Sequence, residues 1–318
     1  MENNNLTDSV PYINSLFQQP WWLEAVAPGQ GQEIVINKGE DVALRFPYIL
    51  DKRDGLTSLT MPGVTQTLGP WLKPMNGKHS SQLSLQKELM NELIQRLPEH
   101  DIFYQRFHYS ITNWLPFYWK GFSQTTRYTY VIEDLTDLEK IWEDMKSNIR
   151  NKIRKAEKTG VTVADTDDIE TFLDLNELTF KRQGMSLPFS RDFVRRLNAA
   201  CVKKNARKIY ITYGADGRPQ TGLFCVYDGS ATYNLLQGGD PALRNSGANA
   251  LAMWKSIKFA AGVSKVYDFE GSMIEPIEEF FHSFGAIQKP YFEISKTNSR
   301  RLKMKTHGRE LLKLILRR

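Results

Sequence analysis

Cysteine is scarce in this chain of 318 residues, with Cys201 and Cys225 the only two. One falls in a predicted helix and the other in a predicted strand, GLFCVY. They read as small buried apolar side chains in a reducing compartment, which leaves no disulfide framework. Cys-x-x-Cys is absent, and the five histidines (His79, His100, His108, His282, His307) stand at no metal-ligand spacing, so no metal is expected. Gly-x-Ser-x-Gly is missing, and with it the nucleophile elbow of an α/β-hydrolase. A Rossmann Gly-x-Gly-x-x-Gly is also missing, and Gly77-Lys78-His79 lacks the Ser/Thr and the first Gly of a phosphate-binding P-loop. No run of 18 apolar residues occurs, and the opening MENNNLTDSV has neither a basic nor an apolar leader region. The chain is therefore read as cytoplasmic, without a transmembrane segment.

What is present is an ordinary globular composition, 41% apolar and 25% charged, in a length sufficient for two domains with separate cores. The net charge of +6 is unevenly placed. Residues 146–158 hold Lys146, Arg150, Lys152, Arg154, Lys155 and Lys158 against the single acid Glu157. From Lys296 to Arg318 nine more bases face only Glu310, and the remainder of the chain is net negative. A polyanion would meet those two segments.

Element order repeats. Residues 11–27 give a short helix entered at Pro20, 33–37 and 41–49 a hairpin, and 58–62 a strand. A Gly/Pro loop, GVTQTLGPWLKPMNGKHS, follows; Leu83–Leu97 is then a helix and 101–109 a strand. The second half reads as helices over 137–158, 168–182 and 190–205, a hairpin over 208–229 turning at Asp216-Gly217, and a strand over 231–237. A polar loop, a helix over 248–261, a strand over 265–270 and a short helix over 277–284 complete it. An α+β fold of two mixed, mainly antiparallel sheets flanked by helices follows.

The candidate chemistry lies in YNLLQGGDPALRNSGANALAMW. Arg244-Asn-Ser-Gly247-Ala248-Asn249 stands between a strand and a helix, where free N–H groups and the positive helix end can hold a phosphate or pyrophosphate. Arg244 would add charge, and Gly247 would let the backbone come close. An ordinary turn with Gly at positive φ also accounts for the pattern. On the next strand, alternation sends Asp268 and Glu270 to one face, with Ser272 beyond. Two carboxylates there could deprotonate an acceptor amine or position a hydroxyl. On the 137–158 helix, Trp142, Met145, Ile149, Ile153 and Ala156 form an apolar stripe. Arg150 and Arg154 flank it one turn apart, as a platform for a diphosphate or as a solvated basic face. His282 points away from the apolar face of its own helix and reads as exposed.

These residues carry a resemblance. Arg-x-x-Gly-x-x-Ala after a strand, then YDFEGS, IEEFFHSFGA and a closing PYFEISK strand, resembles the second half of a GNAT-superfamily acyltransferase. More narrowly it resembles the Fem-like branch, whose members set two GNAT-type domains in one chain and modify cell-envelope precursors. SNIRNKIRKAEKTGVTV (147–163) and TFKRQGM (179–185) extend the similarity over most of 126–295. Asn249 stands where the usual acyl-CoA motif ends in Gly or Ala. The resemblance implies tandem GNAT-like domains over 1–125 and 126–296. It further implies a C-terminal helix over 297–318 packed on the first domain, and a first domain whose donor site, at Gly69-Pro70-Trp71, has been lost. It implies an acceptor-binding Arg182, an oxyanion donor in the backbone at Leu236–Gln237, and donor contacts from Arg244, Gly247, Ala248 and Asn249. No permanently bound cofactor is implied. The cosubstrate would be acyl-CoA, acyl carrier protein or aminoacyl-tRNA, and the acceptor an amine or hydroxyl of an envelope precursor, sugar or lipid-linked intermediate. A non-catalytic polyanion-binding protein remains the alternative from another class.

Overall fold

The computed structural model describes residues 9–182 (Arg182 by its backbone only), 187–299 and 302. In chain order the elements are α1 (Pro20–Val26), β1 (Gly31–Lys38), β2 (Asp41–Arg53), β3 (Leu56–Thr60), β4 (Trp71–Leu72), α2 (His79–Arg96), β5 (Ile102–Arg106), α3 (Leu115–Trp119) and β6 (Ser123–Ile132). Then come α4 (Leu138–Asp144), α5 (Ser147–Lys158), β7 (Thr162–Thr166), α6 (Ile169–Arg182), α7 (Arg191–Lys203), β8 (Arg207–Tyr213) and β9 (Pro219–Tyr227). β10 (Ala231–Gly239), α8 (Ala248–Ala260), β11 (Val266–Asp268), α9 (Glu275–His282) and β12 (Ile287–Thr297) follow. The chain divides into two compact units, one running to Arg127 and resuming at Tyr291, the other Tyr128–Pro290.

In the first unit β1 and β2 form an antiparallel hairpin, β2 continues antiparallel to β3, β3 lies parallel to β5, and the outer part of β12 closes antiparallel on β5. Alternation along β2 and β5 turns Leu44, Phe46 and Phe103 inward, where Leu89, Met90 and Leu93 of α2 cover them. Burying side chains of this size stabilises by about 1.5–3 kcal/mol each, which is what holds the unit together. Among the described residues no helix is long and apolar enough to cross a membrane.

In the second unit the order across the sheet is β6, β11, β10, β9, β8, β7, antiparallel except between β11 and β10. One face is covered by α5 and α8, whose Ile149, Ile153, Leu251, Met253 and Ile257 share a core with Leu223 and Cys225 of β9. The other face carries α6: a Cβ at Gly222 would meet Phe172 and Leu175, and one at Gly238 would lie 2.3 Å from the Asn176 Cα. Glycine there is what lets α6 cross β10 at backbone distance.

Two features depart from the sequence reading. The helix expected over 137–158 is broken into α4 and α5, because Met145 and Lys146 are extended (ψ 142° and 143°). Arg150 closes the break by donating from one guanidinium nitrogen to the carbonyls of Trp142, Glu143 and Met145, at 3.2, 2.5 and 2.9 Å. β4, inside the stretch read as a loop, and β6, β7 and α3 were not expected. The helix expected over 297–318 lies outside the described residues after Ser299, Leu302 excepted.

Candidate active site

β11 pairs with β10 only from Ala231 to Tyr233 and then ends at Asp268. β10 runs on to Gly239 against β9, so beyond Tyr233 its other edge has no strand beside it among the described residues. Immediately after that point the β10–β9 register shifts by one residue, between Asn234 and Leu236. This is a β-bulge, the device by which a strand re-aims side chains. A cavity of about 580 Å³ occupies the open edge. Asn234, Gln237 and Gly239 of β10 line it, with Thr179 of α6, Arg244 and Asn249 at the start of α8, and Phe269 to Ser272 after β11. Ile277, Phe280 and Phe281 of α9 complete its wall.

The bulge decides which β10 side chains serve the cavity. Asn234 lies opposite Cys225, whose Sγ is 3.1 Å from Ser256 Oγ on α8, and Gln237 lies opposite Leu223 in the core shared with α8. Both therefore face α8, although regular alternation would set residues 234 and 237 on opposite faces. Gln237 donates through Nε2 to Asn249 Oδ1, tying the strand to the first turn of the helix. Its carbonyl accepts from Asn176 Nδ2 at 2.9 Å, and Gly239 N donates to Thr179 Oγ1 at 3.1 Å, so α6 fixes the strand end from the opposite face. Asn234 is buried, yet its Oδ1 has no hydrogen-bond partner within the protein. Such an acceptor is costly unless something donates to it, and this one lines the cavity.

The residues expected to act divide into three groups. Gln237, Arg244, Asn249, Glu270 and Ser272 are brought to one cavity. Gly247 and Ala248 are buried behind it. Gly247 (φ +84°) is dictated by packing, since a Cβ would come within 2.2 Å of the Lys152 carbonyl on α5; the expected reason, close approach of a ligand, is not the one the structure gives. Asp268 does not share a face with Glu270. The strand ends at Asp268, Glu270 takes the left-handed conformation at φ +59°, and alternation stops there. Asp268 is fully buried, and its Oδ1 accepts from Thr129 Oγ1 at 2.5 Å and from Glu270 N at 2.7 Å. It holds the turn that aims Glu270.

Arg150 and Arg154 are not at the cavity. Arg150 caps α4 as described, and Arg154 lies 5.4 Å over the Trp142 ring. The side chain of Arg182 lies outside the described residues. His282, expected to be exposed, is half-buried, 2.6 Å from Lys146 Nζ and 3.2 Å from Glu278. The two thiols are chemically quiet: burial pushes Cys201 and Cys225 up to about 12. Asn234 and Thr179 were missed. The bulge has no signature in the sequence, whereas the pair Gly238-Gly239 at a strand end is the kind of signal that marks a close backbone approach.

Residues 143–274 match the acetyltransferase (GNAT) domain. Among solved structures the chain is similar to FemX, with 13% identity, 90% of this chain and 94% of that one covered, and a TM-score of 0.67. It is similar to a tandem GNAT protein from the clavulanic acid biosynthesis pathway (11% identity, 92% and 91% covered, TM-score 0.53). It is also similar to the C-terminal domain of a putative lysylphosphatidylglycerol synthetase from Agrobacterium fabrum (10% identity, 91% of each covered, TM-score 0.53). No curated protein matches the sequence. At these identities the structural likeness is one of fold, and it is the domain match that supports acyl transfer as the class of chemistry. The chain thus carries a GNAT domain over residues 143–274 in a mixed α+β fold similar to those of FemX and the tandem GNAT protein.

Proposed function

We propose that the second unit is an acyltransferase site that moves an acyl group from a thioester, acyl-CoA or acyl carrier protein, to an amine or hydroxyl of an envelope precursor, sugar or lipid-linked intermediate. The observation that carries this reading is the cavity on the open edge of β10. Its lining includes a cation beside a helix N-terminus (Arg244, Asn249) and a carboxylate (Glu270). Arg244 and the first turn of α8 hold the phosphate-bearing end of the donor. The buried Oδ1 of Asn234 accepts a donor or acceptor N–H, and the freed backbone at the bulge, toward Gln237, faces the developing oxyanion.

Attack by the acceptor nitrogen or oxygen forms the new C–N or C–O bond and breaks C–S. Glu270 takes the proton from the nucleophile, and the thiolate leaves to be protonated as the thiol. Asp268 acts as a positioning residue, through the turn it holds. Aminoacyl-tRNA as donor is the second reading. Lys152 and Lys158 of α5 stay exposed and favour it, whereas Arg150 and Arg154 are engaged with α4 and its Trp142.

Thermal melting with coenzyme A, acetyl-CoA and a longer acyl-CoA tests the proposal, since a ligand of the folded state raises Tm by mass action. A saturable rise that Arg244→Ala moves to about tenfold higher ligand concentration is expected. No rise with any thioester excludes free coenzyme A donors, and acyl carrier protein and charged tRNA are then the donors to assay. Salt-sensitive binding of polyanions without any transfer would favour a non-catalytic role.

A further inference from the structure

A second surface lies in the first unit and uses none of the residues of the candidate site. On α3, Leu115, Tyr118 and Trp119 are 45%, 59% and 56% exposed. Their i, i+3, i+4 spacing puts them on one face of the turn. The helix is anchored from beneath: Pro116 and Phe117 are buried, and the Phe117 ring lies 5.2 Å from that of Phe107 and 5.1 Å from that of Phe122. Two large rings and a leucine are thus held out in water by a rigid support. A contiguous exposed patch of this kind marks an interaction site more often than a solvated surface.

Charge stands beside it. The helix ends at Lys120, whose carbonyl accepts from Lys296 Nζ at 2.7 Å, while the same ammonium sits 4.7 Å over the Phe122 ring. Lys296 opens the most one-sided stretch of the sequence, nine bases against one acid to Arg318. That stretch contains leucines but no aromatic residue. The rings a membrane surface would use are supplied instead by α3, at the point where the basic stretch begins.

We infer that α3, Lys120 and Lys296 form a docking surface for an anionic lipid membrane. Tyr118 and Trp119 lie at headgroup depth, where an aromatic ring with a polar edge is best accommodated, and Leu115 reaches below them. Lys120 and Lys296 meet the anionic headgroups. The surface shares no residue with the donor cavity, so its test does not depend on the transferase reading.

The test is co-sedimentation of the full chain with vesicles of phosphatidylcholine alone and of phosphatidylcholine with an equal part of phosphatidylglycerol. Binding to the anionic vesicles only, weakened by salt, is expected. The triple variant Leu115→Ser, Tyr118→Ser, Trp119→Ser should lower the partition constant about tenfold or more at an unchanged melting midpoint, because these side chains are exposed. With brominated phosphatidylcholine in the anionic vesicles, tryptophan fluorescence should be quenched, and Trp119→Phe, which keeps a ring and binding, should lose most of the quenching. Absence of binding, equal binding to both vesicle types, or a triple variant that binds as well as the parent overturns the proposal. So does undiminished quenching in Trp119→Phe. Retention on single-stranded nucleic acid but not on vesicles would assign the patch to another partner and overturn it as well.

Discussion

Each unit carries a glycine-containing loop ahead of a long helix, residues 63–70 before α2 and 240–247 before α8. In the first, Gln18 Nε2 donates to the carbonyls of Leu68 and Gly69 (3.3 and 2.8 Å), Asn14 Nδ2 donates to that of Pro70 (2.8 Å), and Trp22 Nε1 donates to Thr65 Oγ1 (3.0 Å). Thr65 to Pro70 are buried. In the second, Arg244 and Asn245 are exposed, and Arg244 with Asn249 lines the cavity. In the first loop the carbonyls of Leu68, Gly69 and Pro70 and the Thr65 hydroxyl are held by side chains of the same chain; the second keeps a cation and a helix end at the cavity. The glycines do not separate the two. Gly69 (φ +79°) would bring a Cβ within 2.4 Å of the Phe107 ring, as Gly247 would meet Lys152. Packing demands glycine in both, so a glycine motif alone could not have told them apart.

The contrast can be broken, beginning with its largest expected consequence. Glu270→Gln should lower acyl transfer about 100-fold or more while Tm stays put. Coenzyme A release over a panel of amine and hydroxyl acceptors measures this, and an undiminished rate removes Glu270 as the base.

The buried polar interior of the first unit should instead report in stability. Burial pulls His108 from its ordinary 6.5 down to about 4. The unfolded chain therefore binds the extra proton between those values. This contribution is full above about pH 6.5 and is lost as pH falls toward 4, by about 3 kcal/mol in all. Urea unfolding at pH 7.5, 5.5 and 4.5 should show that slope, and His108→Gln should flatten it; an identical slope in the variant would place its origin elsewhere.

Gln18→Ala strands two loop carbonyls and should cost about 2 kcal/mol of stability with no effect on thioester binding. A change in thioester affinity would mean the first loop is not closed. Arg244→Ala has the smallest expected effect, about tenfold weaker thioester binding with unchanged unfolding, since the side chain is exposed. Titration of the Tm rise against ligand concentration reads it, and a loss of stability would mark Arg244 as structural.

Periodicity and turn chemistry reached most elements because they are long or sharply punctuated: Pro20 at the start of α1, the Lys-Gly turn between β1 and β2, Asp216-Gly217 between β8 and β9. They failed where burial is partial or the element short. β7 (TVADT) is an edge strand with no fully buried residue, β6 is buried only in its last four positions, and α3 has five residues, too few for a period. The apolar stripe Trp142–Ala156 looked continuous because Arg150 splices two helices whose stripes stay in line. At the site, loop chemistry led to Arg244, Asn249 and Glu270. Asn234 depended on a register shift, and Asp268 on where a strand stops, which are tertiary facts.

The bulge at Leu235 has one more implication. A chain lacking that residue would keep Asn234 opposite Cys225 and Gln237 opposite Leu223 and would restore an unbroken ladder with β9. The most regular version of this sheet is therefore one codon away, and the surplus residue, left out of the ladder, stands in the lining of the cavity.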